Sequence, residues 1–216
     1  MQESYKTVKG FGTGELVAKR SKFFADVAHV TTEEEAVAFI NRIKKERTQA
    51  THHVYAYQVR AGNLSRYTDD GEPSMTAGIP TYEVFQKQDI TDVCVVVTRY
   101  FGGTLLGTGG LVRAYSGACK EGLKAAGVVV KKLCDILEIT CDYTLFGKVE
   151  YRIKTLGYTI LDITYGANVV VQLSVEVAQS KAFCDDIIEC TNALCVPQVV
   201  DTRYVDEDIL LKEDEV

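Results

Sequence analysis

The sequence predicts an α+β protein of two domains, and three observations lead there. The second half runs strand, helix, strand, strand, helix, strand, the β-α-β-β-α-β order of a ferredoxin-like sandwich. The first half mixes short strands rich in β-branched residues with helices that carry start and stop signals. The sign of charge also changes between the halves. Up to Leu133 there are 18 Lys and Arg against 14 Asp and Glu, and from Cys134 onward 6 against 16, so +4 and −10 compose the net charge of −6. The boundary is expected near 131–135, giving domains over 1–132 and 133–208 and an acidic tail over 209–216.

The chain of 216 residues, 46% hydrophobic and 25% charged, has ordinary globular composition and is long enough for two small domains. No window approaches 18 consecutive apolar residues, so no membrane span is expected. The opening MQESYKTVKGFGTGE lacks the apolar core of a signal peptide, and a cytoplasmic location is the expectation. Seven cysteines form no CxxC pair and no Cys/His zinc spacing; all seven are expected to be packed thiols in a reducing compartment.

Residues 5–30 read as two or three short strands separated by Gly10, Gly12 and Gly14. Thr31 or Thr32 followed by Glu33-Glu34-Glu35 is a capping-box start. The helix it opens is expected to bury Ala36, Val37, Ile40 and Ile43, with its acids first and Arg42, Lys44, Lys45 and Arg47 last, as the macrodipole prefers. A strand over Val54–Val59, a turn at Ala61-Gly62-Asn63 and a partner strand over Leu64–Thr68 follow. Asp69–Ser74 reads as a loop and about Thr76–Phe85 as a helix. After Gly127 as C-cap, Val128–Val130 is one extended run and Cys134–Tyr143 the next. The remaining elements are expected at Leu145–Leu156 (helix), Tyr158–Tyr165 and Val169–Val177 (strands), Ser180–Thr191 (helix) and around Gln198–Tyr204 (strand).

The sharpest functional pointer is Val93–Gly117. A buried strand, Val93–Val97, ends in Thr98-Arg99-Tyr100 and opens into a loop with Gly102, Gly103, Gly107, Gly109 and Gly110, after which apolar residues recur at helical spacing. Strand, glycine-rich loop and helix start make a concave spot where backbone N–H groups can meet an anion, with Arg99 at its entry and Arg113 one turn into the helix. It is not a phosphate-binding Walker loop, since no Gly-Lys-Ser/Thr follows. Nor is it a dinucleotide fingerprint, which would require Gly where Val112 stands. The competing reading is that the glycines only let strand, loop and helix pack closely.

Asp69, Asp70 and Glu72 place three carboxylates within four residues, which could ligate Mg²⁺ or serve acid–base chemistry; a solvated, Asx-capped turn is the plainer reading. His52 and His53 at a strand entrance supply imidazoles to opposite faces, for which hydrogen-bonding roles are favoured. No catalytic triad, metal site or cofactor is read from the spacing.

Taken together, Ser21-Lys22-Phe23, Ala50–Tyr57, Asp69–Ser74, Thr76–Pro80, Val95–Gly103 and Leu106–Tyr115 resemble the motifs of the IMPACT/YigZ family. Met75 departs from them: the family has a small residue there, usually Gly. The resemblance implies a first domain with the fold of domain 2 of ribosomal small-subunit protein five, and a second like the last, ferredoxin-like domain of elongation factor G. It also implies a link to translation, and no established reaction comes with it. The expected role is therefore a non-enzymatic regulator that binds RNA, the ribosome or a translation-factor surface. It would use Thr98, Arg99, Tyr100, Arg113, Lys22, Arg20, the basic end of the first helix and the flanking His52, His53, Asp69, Asp70 and Glu72, with Tyr55, Tyr57 and Tyr100 available for stacking. The alternative is a phosphate- or nucleotide-binding enzyme or switch, with the glycine-rich loop on phosphate and the Asp-Asp-Gly-Glu loop on Mg²⁺.

Overall fold

The structure, a computed structural model, describes residues 4–208; the tail expected over 209–216 lies outside them. The fold separates into a unit over Tyr5–Val130 and a unit over Lys131–Asp206, both α+β.

The first unit begins with β1 (Ser4–Val8), β2 (Gly12–Ala18), β3 (Ser21–His29), α1 (Glu33–Glu46), β4 (His52–Val59) and β5 (Leu64–Thr68). It continues through α2 (Gly78–Gln86) and β6 (Val93–Tyr100) to α3 (Thr108–Ala126). Five strands form an antiparallel sheet in the order β2-β3-β6-β4-β5. The central strand explains its own composition. Val93, Val95 and Val97 pack into the core formed with α2 and α3, while Cys94 and Val96 pack into a second core with α1 on the opposite face. A strand buried on both faces reads as a continuous apolar run.

Helix α1 starts as its capping box predicts. The Glu35 N–H donates to Thr32 Oγ1 at 3.2 Å, and the Glu35 carboxylate accepts from the Thr31 N–H at 2.7 Å. The bonds that the Thr31 N–H and hydroxyl donate to it hold the Glu35 carboxyl below its ordinary pKa. The buried stripe is Ala36, Phe39, Ile40 and Ile43; Val37, expected inside, is 44% exposed. Phe39 takes the inner position because it lies three and four residues from Ala36 and Ile43 on the same face.

Helix α3 lies unusually close to β2 and β3, and glycine is the reason. A Cβ on Gly12 would come within 2.2 Å of the Ala126 nitrogen, one on Gly14 within 2.3 Å of the Glu121 carbonyl carbon, and one on Gly122 within 2.8 Å of Val27. These three glycines sit on facing surfaces of strand and helix and fix where α3 runs across the sheet.

The second unit is made by β7 (Val128–Cys141), α4 (Tyr143–Thr155), β8 (Ile160–Tyr165), β9 (Val169–Glu176), α5 (Val177–Cys190) and β10 (Gln198–Asp208). Strands β10-β7-β9-β8 lie in that order, the ferredoxin-like arrangement expected, and β1 also pairs with β7 in the same five-stranded sheet. Its core joins Leu137, Ile139, Val171 and Leu173 of the sheet to Val149, Ile153, Phe183 and Ile187 of the helices. The two extended runs expected on either side of Lys131-Lys132 are one strand, β7. The lysines interrupt the apolar pattern but not the backbone, because Lys131 pairs with Asp206 and Lys132 with Glu176. All seven cysteines are free thiols.

Gly14→Ala should lower unfolding stability by about 2 kcal/mol or more through overpacking against the α3 backbone, read by urea denaturation. Gly10→Ala, with nothing within 4 Å of the new methyl, should change it by less than about 1 kcal/mol.

Candidate functional site

The expected anion cradle lies at the end of β6, and the structure divides its residues among three places. The first is a buried polar knot. Arg99, on the α3 side of β6, is 5% exposed. Its Nη1 donates to Glu72 Oε1 at 2.6 Å and its Nη2 reaches Ser21 Oγ at 3.4 Å. The same Glu72 oxygen accepts from the Tyr115 hydroxyl of α3 at 2.7 Å. Burial, followed by that bond, pushes the Tyr115 phenol well above its ordinary pKa and keeps it a donor. His52 stands directly opposite Arg99 in the β4–β6 register. Its Nδ1 is 2.8 Å from the Asp70 carbonyl oxygen, which can only accept, so Nδ1 carries the proton and Nε2 faces Glu72 at 3.9 Å. The guanidinium also lies 5.5 Å from the ring centroids of Phe23 and Phe101.

The second place is a cavity of about 420 Å³ above this knot. His52, Glu72 and Arg99 contribute its polar floor, Phe101, Leu105, Leu106 and Leu111 its apolar wall, and Gly107 and Thr108 its edge at the start of α3. Phe101 and Leu105 are 48% and 81% exposed.

The third place is a hollow of about 310 Å³ on the other side of Leu106, to which Lys19, Gly110 and Arg113 contribute. Arg113 therefore does not share a site with Arg99. It shares one with the β2–β3 hairpin, whose two-residue turn is Lys19-Arg20, between the paired residues Ala18 and Ser21. Both turn residues have positive φ, 43° and 70°, in a turn for which Asn-Gly is the usual solution. Lys19, Arg20 and Arg113 are exposed and have no ion pair among the described residues. Lys22, exposed on β3, lies 4.0 Å from Glu15. Lys19 was not singled out in the sequence; two cations in a hairpin turn are the signal that could have found it.

The glycines divide accordingly. A Cβ on Gly102 would meet the Arg20 carbonyl carbon at 2.1 Å, so Gly102 seats the loop on the hairpin turn. Gly103 and Gly107 have φ of 79° and 75°. Gly109 faces open space at a conformation any residue could adopt.

The three carboxylates do not converge on a metal. Asp69 accepts from the N–H groups of Met75, Ala77 and Gly78 at 2.8–3.0 Å and so builds the turn into α2. Asp70 accepts from the His53 N–H at 2.6 Å. Glu72 is committed to Arg99 and Tyr115. Among the described residues no group of three or more His, Cys, Asp or Glu could hold a metal ion. His53 points to the other face, its Nε2 3.0 Å from the Arg47 carbonyl. Thr98, also on that face, is fully buried. The basic end of α1 is partly spent: Arg47 makes a two-pronged pair with buried Asp26, and Arg42 lies over Phe11 and Phe39. Tyr57 is buried with its hydroxyl on Glu33, and Tyr100 packs edge-on against Phe24, which removes Tyr57 from any stacking role.

A protein of Bacillus subtilis named IMPACT family member YvyE is 43% identical over 193 residues, 89% of each chain. The chain belongs to the IMPACT family. The Impact N-terminal domain matches residues 19–123, and a domain of unknown function, DUF1949, matches residues 139–193. IMPACT family member YigZ of Escherichia coli is 32% identical over 168 residues, 76% of this chain and 82% of that one. A crystal structure described as a hypothetical protein superposes with a TM-score of 0.59 at 27% identity, covering 93% of this chain and 99% of the other. The residues around both hollows of this IMPACT-family chain, apart from Leu16 and Ala18, lie within the matched N-terminal domain.

Met75 has φ of 64° and is 64% exposed, so its backbone sits in the left-handed region where an L side chain is penalised. Met75→Gly should raise stability by about 0.5–1 kcal/mol and Met75→Val should lower it by about 1 kcal/mol, both in thermal unfolding. Glu72→Ala leaves the Arg99 charge buried without a partner and should cost about 3–5 kcal/mol. Adding Arg99→Met should recover part of that loss in the double variant, and a purely additive result would contradict the coupling.

Proposed function

We propose that this IMPACT-family chain is a non-enzymatic, translation-linked binding protein that holds RNA phosphates on the hollow between the β2–β3 turn and α3. Family membership supports the tie to translation. The observation that carries the RNA reading is the basic turn: Lys19 and Arg20 occupy positive-φ positions at a conformational cost, Lys19 and Arg113 line one hollow whose lining holds no acidic side chain, and Arg20 is exposed beside Lys19 in the same turn. Strain of this kind persists where the surroundings over-determine it and clusters at functional sites. Three unpaired cations on a rigid hairpin and the second turn of a helix suit a phosphate backbone, which is read by charge and spacing. Arg99, buried and neutralised by Glu72, serves the shape of this face from beneath.

No helix among the described residues is long and apolar enough to cross a membrane. Family membership directs the search for a partner on the basic face to translation components, an RNA or a ribosomal surface first.

The combined variant Lys19→Gln, Arg20→Gln, Arg113→Gln should bind a single-stranded RNA oligonucleotide at least about tenfold more weakly at low salt. The slope of log affinity against log salt should become shallower by about 2, from three lost phosphate contacts. Fluorescence anisotropy across a salt series reads both. Unchanged affinity would sink the RNA reading, and a partner retained from lysate after nuclease treatment would replace it with a protein surface.

A further inference from the structure

The cavity above the Arg99–Glu72 knot is separate from the basic hollow, and its polar floor offers acceptors. The Glu72 side chain is 4% exposed and gives one oxygen to the knot: Oε1 takes the bonds from Arg99 and Tyr115. Its other oxygen, Oε2, accepts nothing among the described residues and, unlike Arg99 Nε, is not sealed from solvent. A carboxylate oxygen left free in the wall of a cavity asks for a donor. His52 lies beside it, with Nε2 3.9 Å from Glu72 Oε1 and without a hydrogen-bond partner among the described residues. With the Nδ1 proton on the Asp70 carbonyl, Nε2 of the neutral ring is a second acceptor. Thr51, also in the lining, accepts from the Phe101 N–H at 3.3 Å, which leaves its own hydroxyl proton to donate. Arg99 and Glu72 offset each other's charge, so the floor asks for a neutral donor and not for an ion.

We infer that this cavity receives one guanine base of the RNA held on the basic hollow, an inference that rests on the RNA reading above. Single-stranded RNA is recognised through bases that leave the stack, lie against aromatic side chains and hydrogen-bond along their Watson–Crick edges. Of the four bases, only guanine carries two adjacent donors on that edge, N1–H and the N2 amine, with O6 beyond them as acceptor. The donors suit Glu72 Oε2 and His52 Nε2, and O6 suits the Thr51 hydroxyl. Adenine and cytosine set a ring nitrogen lone pair next to their amine, and uracil flanks its one N–H with carbonyls, so each turns a lone pair toward the floor's acceptors. Phe101, 48% exposed, offers a ring for stacking, and Leu105, Leu106 and Leu111 complete an apolar wall. A volume of about 420 Å³ lies in the range of small-ligand sites, about 300–1,000 Å³. Leu106 lines both hollows, so a nucleotide with its base on one side of it can set its phosphate toward Lys19 and Arg113 on the other. The Glu72 carboxylate repels phosphate and keeps the backbone out of the cavity.

The test is fluorescence anisotropy of the full chain with labelled single-stranded uridine hexanucleotides that carry guanine, inosine or adenine at one inner position, with free GMP as a competitor. The guanine strand should bind about tenfold more tightly than the inosine strand, which lacks only the N2 amine and so one hydrogen bond to a charged acceptor. It should exceed the adenine strand by at least about tenfold. Phe101→Leu keeps an apolar residue at a half-exposed position and should weaken the guanine strand by about fivefold or more through lost stacking, with the salt slope unchanged. The Lys19→Gln, Arg20→Gln, Arg113→Gln variant should weaken all three strands alike and keep the guanine-to-inosine ratio. Equal affinity for the three strands, all still weakened by that triple variant, would overturn the guanine site and leave the RNA reading standing. No binding of any strand would overturn both. A guanine preference untouched by Phe101→Leu would overturn the assignment to this cavity, and GMP binding as tightly as the guanine strand would replace the RNA base with a free nucleotide.

Discussion

A guanidinium buried at the end of a central strand must be answered by a carboxylate, and the geometry of the first unit's working end follows from how Arg99 is answered. Glu72 reaches it from the loop after β5, Tyr115 reaches Glu72 from α3, Ser21 reaches Arg99 from β3, and His52 stands opposite it on β4. One ion pair thus holds four separate segments to a common point. A buried pair is weak evidence for stability, since desolvation offsets most of its attraction. What it supplies here is position: no apolar substitute would hold the 69–77 turn and the first turns of α3 in a fixed relation to β6.

Glycine does the complementary work. Gly12, Gly14 and Gly122 bring α3 down onto the sheet, and Gly102 brings the loop down onto the hairpin turn. With the helix seated so closely, the 101–107 loop has few residues in which to turn, and Gly103 and Gly107 take the positive φ values that this requires. The close-packing reading and the functional reading of the glycine-rich stretch are therefore both right, but of different residues. Packing accounts for Gly102, turn geometry for Gly103 and Gly107, and neither accounts for Gly109.

The elements were largely legible because their signals are local. The capping box of α1, the β-branched run of β6 and the Gly127 stop each lie within a few residues of what they determine. The strand β7 was misread as two because Lys131 and Lys132 look like a break until their acidic partners, Asp206 and Glu176, are known. The site was legible in place but not in role. Arg99 beside a glycine-rich loop looks like an anion ligand, and nothing adjacent announces Glu72, 27 residues earlier, as its partner. Asp69, Asp70 and Glu72 look like one ligand set, yet a turn containing positive φ at Asp70, Gly71 and Met75 sends their carboxylates in three directions. Met75 is the opposite case: its oddity was visible as a departure from the family, and its left-handed backbone explains why glycine is the usual residue.

The two hollows meet at one side chain. Leu106 lines both the cavity over the Arg99–Glu72 knot and the basic hollow beside Arg113. It is half-buried between Gly103 and Gly107, with its Cβ 3.0 Å from where a side chain on Gly110 would begin. A bulkier residue at position 110 would have to displace Leu106, so glycine there protects the partition itself. The loop that looked at first like a single cradle for one anion is better described as a wall with two sides. One side is charged and strained toward solvent, and the other is apolar, with the uncapped start of α3 at its edge.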